Sequence, residues 1–193
     1  LPSKAVRLYR RLVDEERFRS SEHRENALLF LADSYQQSFG FDEASKAYLR
    51  YGEEYRDGKE VRRALVSAAL LHETAEDYLR ATEAVERFIR LFPKDETTPK
   101  MAYVLIALYE KLGDHKAARR AAKKFLKKFG SVAAHSNSSM RATLKLGRWA
   151  AESGESSAAR KFFKRVVKLF VSNGKMPASR AAKMAAEAAF RLT

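Results

Sequence analysis

A repeated spacing of small and large apolar residues is the feature that most constrains the fold of this chain. In each copy an alanine is followed by an apolar residue four positions later and by another three positions further on. The copies are Ala44-Tyr48-Tyr51, Ala81-Val85-Phe88, Ala118-Ala122-Phe125 and Ala159-Phe163-Val166, and their leading alanines lie 37, 37 and 41 residues apart. A period in this range is typical of solenoids built from stacked helical units. Since solenoids present extended surfaces to partners, the period predicts binding rather than catalysis.

The composition favours a helical domain. The chain has 193 residues, 46% of them hydrophobic, with only 8 glycines and 4 prolines among abundant helix formers. This is enough for one domain with a continuous core. There is no cysteine, which excludes disulfides, thiolate nucleophiles and cysteine-based zinc sites. No apolar run reaches the roughly 18 residues that a membrane-spanning helix needs.

The charge is concentrated in the second half of the chain. Residues 1–100 contain 18 Lys+Arg and 19 Asp+Glu, whereas residues 101–193 contain 20 and 5. The formal net charge of +14 therefore arises entirely after residue 100. Such asymmetry indicates attraction to an anionic partner.

The repeats predict pairs of antiparallel helices. In the first full unit Leu28, Leu31, Ala32 and Tyr35 share one helical face, and Asp42 is expected to cap the second helix. The predicted first helices are 22–38, 61–73, 98–112 and 138–152, and the second helices of the last three units are 77–92, 115–129 and 156–171. We expect one array over 1–193, with a half-unit at 1–19, units at 22–56, 59–93, 98–130 and 138–171, and a final helix at 178–193. Half-units at both ends predict a piece of a longer array.

These residues resemble the tetratricopeptide repeat. The family pattern of a large residue, a Leu, a small residue and a Tyr matches Leu28, Leu31, Ala32 and Tyr35, and the alanine of its second helix matches the four leading alanines. The closing proline of the family matches only Pro93. The resemblance covers nearly the whole chain and implies an all-α, right-handed solenoid of stacked helix pairs.

One segment resembles a narrower group within that family. Phe88-Ile89-Arg90-Leu91-Phe92-Pro93, Ala102-Tyr103, Tyr109-Glu110-Lys111-Leu112-Gly113-Asp114 and Phe125-Leu126-Lys127-Lys128-Phe129 are similar to tetratricopeptide proteins of Gram-negative envelopes. Those proteins act in outer-membrane assembly, Tol–Pal coordination and gliding motility. The resemblance implies a periplasmic adaptor, and the cytoplasm is the alternative compartment.

The resemblance also implies a groove lined by the first helix of each pair. The positions that face such a groove offer apolar footholds at Leu29, Val66, Tyr103 and Leu144. The polar and charged positions are Asn26, Asp33, Gln36, Arg63, Glu73, Lys100, Glu110, Arg141 and Arg148. A peptide or helix of a protein partner would lie there.

The second helices of the last two units each alternate an apolar stripe with a cationic face. The cationic residues are Arg119, Arg120, Lys123, Lys124, Lys127, Arg160, Lys161, Lys164 and Arg165. Two interpretations stay open: a packed stripe with a solvated back, or a convex patch that binds an acidic protein, or anionic glycan, lipid or nucleic acid. Peripheral membrane contact by charge alone belongs to the second interpretation.

No pattern of catalytic residues is present in the sequence. The four histidines are far apart, no glycine-rich phosphate loop or nucleophile elbow occurs, and nucleic-acid recognition motifs are missing. His72 replaces the usual Tyr of a first helix and is expected to be a packing residue. We therefore predict no enzyme, cofactor or metal site, and a non-catalytic assembly module that binds an acidic protein or peptide in its groove.

Overall fold

The computed structural model describes residues 4–132, 136–172 and 179–192, and this part of the chain is all-helical. A 3₁₀ turn at Glu16–Phe18 follows the first of its ten α-helices. The helices are α1 Lys4–Asp14, α2 Arg24–Gln37, α3 Phe41–Glu54, α4 Val61–Thr74, α5 Tyr78–Leu91, α6 Thr98–Lys111, α7 His115–Phe129, α8 Ser136–Glu152, α9 Ser156–Ser172 and α10 Arg180–Phe190. Residues 1–3, Ala178 and Thr193, which the predicted end units include, lie outside the described residues.

The turns inside the helix pairs share one backbone geometry. Phe39, Glu76, Gly113 and Gly154 have φ between 59° and 75°, and each lies five residues before a leading alanine. A residue in this left-handed region ends the first helix of a pair. The next helix then begins within three residues.

Aspartate side chains cap the second helix of the pair at two of these turns. The side chains of Asp77 and Asp114 accept backbone N–H bonds from Arg80 and Ala117, at 3.2 and 2.8 Å. The prediction for Asp42 is wrong, because α3 begins one residue earlier, at Phe41, with Gly40 as its N-cap. Asp42 instead pairs with Lys46 along the helix.

Contacts divide the chain into two compact units. The first runs to Met101 and includes Lys111–Gly113, and the second comprises Ala102–Glu110 and continues from Asp114. In the first unit each helix from α1 to α4 packs against the next along the chain. Its largest fully covered side chains include Tyr48, Tyr51 and Phe88, all of them signature residues. The continuous array over 1–193 stays a prediction.

The second unit has two apolar clusters. In one, Ala118, Ala122 and Phe125 of α7 contact side chains of α6 and α8, including Ile106 and Trp149. In the other, the α9 residues Ala159, Phe163 and Val166 pack with Ala188 of α10. The small residues thus let helices of successive pairs approach closely, which is the role that the repeat pattern predicts.

One close approach within the second unit needs a glycine. A Cβ added at Gly147 of α8 would lie 2.6 Å from Cε1 and 2.8 Å from Cδ1 of Phe163. The ring of Phe163 is 2% exposed, so it has little room to move. Helices α8 and α9 therefore approach until the ring lies on the bare backbone of Gly147.

Candidate functional site

The face formed by α2 and α4 in the first unit is held by a charged hydrogen-bond network. Arg63 donates to both carboxylate oxygens of Asp33, at 2.9 and 3.3 Å. Tyr48, from α3, donates its hydroxyl to Asp33 and lies 2.8 Å from Oε1 of Gln36. The structure thus brings three residues of the predicted groove together. It joins them through Tyr48, which the sequence reasoning assigned only to packing.

The carboxylate of Asp33 is kept ionised by this network. Partial burial alone would raise its pKa, but the hydrogen bonds from Arg63 and Tyr48 outweigh that effect and lower it. Burial and the bond to Asp33 raise the pKa of Tyr48. These charged groups therefore hold α2, α3 and α4 together, and their hydrogen-bonding capacity is largely used before any partner arrives.

The predicted apolar footholds are only partly available. The prediction is wrong for Leu29 and Leu144, whose side chains are 7% and 4% exposed, because neighbouring side chains cover them. Val66 is half-buried, and Leu70, one turn further along α4, is 61% exposed. The apolar surface on this face of the first unit thus centres on α4.

The remaining predicted groove residues of the first unit are accessible to different degrees. Asn26, Gln36 and Lys100 are exposed, and Glu73 is half-buried. These side chains present polar groups at the surface of the first unit.

On the corresponding face of the second unit, first helices contact each other at three places. Two of these contacts join α6 and α8. The guanidinium of Arg141 lies 5.3 Å from the ring centre of Tyr103. Glu110 accepts from Lys145 at 2.6 Å. The ring of Tyr103 also packs edge-on against Phe125, and burial raises its pKa.

The third contact joins α8 to α10. Nε of Arg148 lies 2.7 Å from Oε1 of Glu187, and a second bond makes the pair bidentate. The sequence reasoning missed Lys145 and Glu187. The available signal was the scarcity of acids after residue 100. Because cations outnumber carboxylates there, each carboxylate is expected to form an ion pair.

The cationic faces of α7 and α9 have a different character. On α7, Arg120, Lys123, Lys124 and Lys127 are exposed. On α9, Arg160, Lys161, Lys164 and Arg165 are exposed. Within the described ranges none of these eight side chains has an ion-pair partner. Both helices pack against α8.

The apolar stripes of the same two helices are covered. Ala118, Ala122 and Phe125 on α7 and Phe163 and Val166 on α9 are at most 2% exposed. A lipid surface would therefore meet charge rather than an apolar face, which excludes insertion as an amphipathic helix in this conformation. No helix in the described ranges has the length and apolarity required to cross a bilayer.

Arg119 does not belong to the exposed cationic face. Its guanidinium donates to the carbonyl of Trp149 at 2.8 Å and to the hydroxyl of Ser153, and it lies 3.6 Å from Glu155. The side chain thus binds the C-terminal end of α8, where carbonyl groups lack partners within the helix. Its inclusion in the predicted patch is wrong for this reason.

His72 lies in the core of the first unit. It is fully covered, and within the described chain neither ring nitrogen has a hydrogen-bond partner. Nδ1 is 3.5 Å from the carboxylate of Asp77. Burial lowers the pKa of His72, and the attraction of Asp77 only partly opposes this effect. The packing role predicted for His72 is confirmed.

The lowered pKa predicts a loss of stability in weak acid. Because the folded state disfavours the imidazolium, the full contribution of His72 is present above the unfolded pKa of about 6.5. It is lost as the pH falls through that value toward the folded pKa, with a slope of at most about 1.4 kcal/mol per pH unit. Urea unfolding followed by circular dichroism from pH 7.5 to 5.5 measures this slope. The variant His72→Leu should give a flatter profile; parallel profiles would show that other groups cause the acid sensitivity.

No protein-family model and no curated protein sequence matches the chain. Solved structures do. The crystal structure of MamA superposes with a TM-score of 0.55 at 18% identity, over 89% of this chain and 90% of that one. A putative kinesin light chain with TPR-like repeats from Podosopora anserina gives 0.55 at 13%, over 89% and 87%. A tetratricopeptide repeat protein from Parabacteroides merdae gives 0.53 at 15%, over 97% and 65%.

These likenesses establish the fold. The chain is an all-α solenoid of the tetratricopeptide type, as the repeat spacing predicts. Identities below 20% carry the architecture alone, so the function has to be argued from the surfaces described above.

Proposed function

We propose that the chain is a non-catalytic assembly module that binds an acidic protein partner. The observation that carries the proposal is the contrast between the two units. Cations in the first unit are mostly paired with carboxylates, whereas the eight exposed residues of the predicted patch on α7 and α9 have no carboxylate partner among the described residues. Unpaired, exposed cations raise the local concentration of an acidic partner and its association rate.

The partner would also need an apolar contact for a lasting complex. The exposed Leu70 and the half-buried Val66 on α4 provide one such contact. The exposed amide of Asn26 can orient an extended peptide beside it. In this proposal charge on the second unit attracts the partner, and the first-helix face of the first unit holds it.

The narrower setting is a multiprotein complex of a Gram-negative envelope, of the outer-membrane assembly, Tol–Pal or gliding-motility kind. Its support is the similarity of the segments between Phe88 and Phe129 to envelope tetratricopeptide proteins. The alternative function is electrostatic anchoring to anionic glycan, lipid or nucleic acid through the same cationic faces. The covered apolar stripes limit that alternative to binding by charge alone.

The proposal is tested with peptides selected from a random display library on the intact chain. We expect acidic peptides that also carry an apolar residue. The variant with Arg120, Lys123, Lys124 and Lys127 changed to Glu should bind them about tenfold to a hundredfold more weakly, chiefly through slower association. Arg119 is left intact because it supports α8. Surface plasmon resonance gives both rate constants.

A matched control carries the same change in net charge on the first unit. Arg7, Lys46, Lys59 and Lys94 are all exposed there, and changing them to Glu should alter affinity by less than about threefold. Equal losses in both variants would mean that only net charge matters, which contradicts a located surface. Raising the salt concentration separates the functions: a peptide complex should keep its apolar part, whereas anchoring to anionic vesicles or single-stranded oligonucleotides should vanish. If only those polyanions bind, the alternative is correct.

A further inference from the structure

Three arginine side chains and a leucine line a small cavity in the first unit. The lining residues are Arg56, Arg87, Arg90 and Leu91, and the cavity is open to solvent with a volume of about 280 Å³. Pockets for whole organic ligands span roughly 300–1,000 Å³. A cavity at the lower limit of that range suits one small charged group rather than a complete cofactor.

The fold places these side chains from two directions. Arg56 lies in the turn after α3, and Arg87 and Arg90 lie three residues apart on α5, a spacing that puts them on the same helical face. Arg87 is already held in position, because it donates to the carbonyl of Gly52 at 3.3 Å and to Glu53 at 3.1 Å. One of the three guanidinium groups is therefore ordered before a ligand binds.

The other two arginines lack partners, which is exceptional for the first unit. Among its described arginines only Arg7, Arg56 and Arg90 have neither an acidic nor a hydroxyl partner. Two of these three line the same cavity. The first unit has as many acids as bases, so shortage of carboxylates does not explain their isolation.

Three guanidinium groups that line one small cavity favour the binding of an anion. Arginine stays protonated at any physiological pH, so the repulsion cannot be relieved by loss of a proton. Glu53 supplies one negative charge, and Arg87 already engages it. An external anion in the cavity would balance the remaining charge and pair with the free N–H donors of Arg56 and Arg90.

The number of donors selects the kind of anion. A carboxylate has two oxygens and is satisfied by one arginine fork. A phosphate monoester has three acceptor oxygens and a charge of about −1.5 to −2 at neutral pH, which matches several forks at once. We propose that this cavity binds the phosphate monoester group of a phosphorylated ligand. The site belongs to the first unit, whereas the cationic faces of α7 and α9 belong to the second, and it does not depend on their function.

Arginine side-chain NMR tests the proposal residue by residue on the intact chain. Spectra of the Nε–H groups are recorded during titration with inorganic phosphate, O-phosphoserine and glycerol 3-phosphate, with acetate as the comparison. We expect saturating shifts at Arg56, Arg87 and Arg90 with the phosphates, and weaker, non-saturating shifts at the arginines of α7 and α9. Tighter binding of O-phosphoserine would indicate a phosphorylated side chain as the source, and tighter binding of glycerol 3-phosphate a small metabolite. Equal saturation by acetate would overturn the phosphate assignment.

Paired variants give the second criterion. Changing Arg56 and Arg90 to Gln should weaken phosphate binding at Arg87 at least about tenfold, because charge-assisted hydrogen bonds are lost. Changing Arg120 and Arg165 to Gln should leave it unaltered. Both cavity residues are exposed and lack partners, so the first variant should melt at the same temperature as the parent or higher. The proposal fails if the cavity variant binds phosphate as tightly as the parent, or if all arginines shift alike.

Discussion

Replacement of Gly147 by isoleucine is expected to lower the free energy of unfolding by about 3 kcal/mol. Even a Cβ at this position would lie 2.6 Å from the buried ring of Phe163, and isoleucine adds three further carbon atoms. Isoleucine has a higher helix propensity than glycine, but this difference offsets only a small part of the lost free energy of unfolding. Truncation of the partner in Phe163→Ala should cost about 3–5 kcal/mol through the cavity that it leaves.

The double variant should be more stable than the sum of these losses predicts. In the preceding pair of helices, the positions equivalent to Gly147 and Phe163 are Ile106 and Ala122, and both lie in one apolar cluster. The double variant therefore recreates a combination that the chain already uses. We expect a coupling energy of about 1–3 kcal/mol in a double-mutant cycle measured by urea unfolding. Additive losses would show that the isoleucine side chain does not fill the space left by the ring of Phe163.

Replacement of Ala118 by leucine is expected to cost roughly 3 kcal/mol. Ala118 is fully covered and packs among residues of α6, α7 and α8, so the larger side chain must push neighbouring helices apart. Trp149, the only tryptophan of the chain, belongs to the same cluster. Its fluorescence therefore reports unfolding of the second unit during a denaturant titration, and the expected result is a lower midpoint.

The matched control is the same substitution at an exposed helical position. Ala151 lies on α8 and is exposed, so Ala151→Leu should change stability by less than about 0.5 kcal/mol. If both variants lost the same stability, helix propensity rather than packing between helices would be responsible, and the role of the repeated alanines would be wrong.

The sequence was sufficient for the helices because local rules fix them. The predicted bounds of α2 and of α4 to α9 lie within two residues of the observed ones, whereas the predicted final helix ends three residues beyond α10. The recurrent turn residues, the Asp77 and Asp114 caps and the apolar period of one helical face all act within a few residues of each other. Such signals need no knowledge of what the helix packs against.

Exposure was harder to predict because it depends on neighbouring helices. A repeat position assigns a residue to a face, but the cover over Leu29 or Leu144 comes from side chains elsewhere in the chain. The same limit applies to Arg119, whose partners in the last turn of α8 and just beyond it lie 30 and 34 residues away in the sequence. The cavity of Arg56, Arg87 and Arg90 was missed for this reason as well, since α3 and α5 belong to different repeats.

The matched sizes of facing residues make the helical hairpin the smallest interchangeable part of this protein. If α8 alone were grafted in place of α6, Gly147 would face Ala122 and leave a void, whereas α8 grafted with α9 would keep its own fit. Recombination breakpoints between hairpins therefore preserve the interior, and breakpoints at the turn inside a hairpin do not. Libraries made by recombining this chain should therefore have their breakpoints between hairpins.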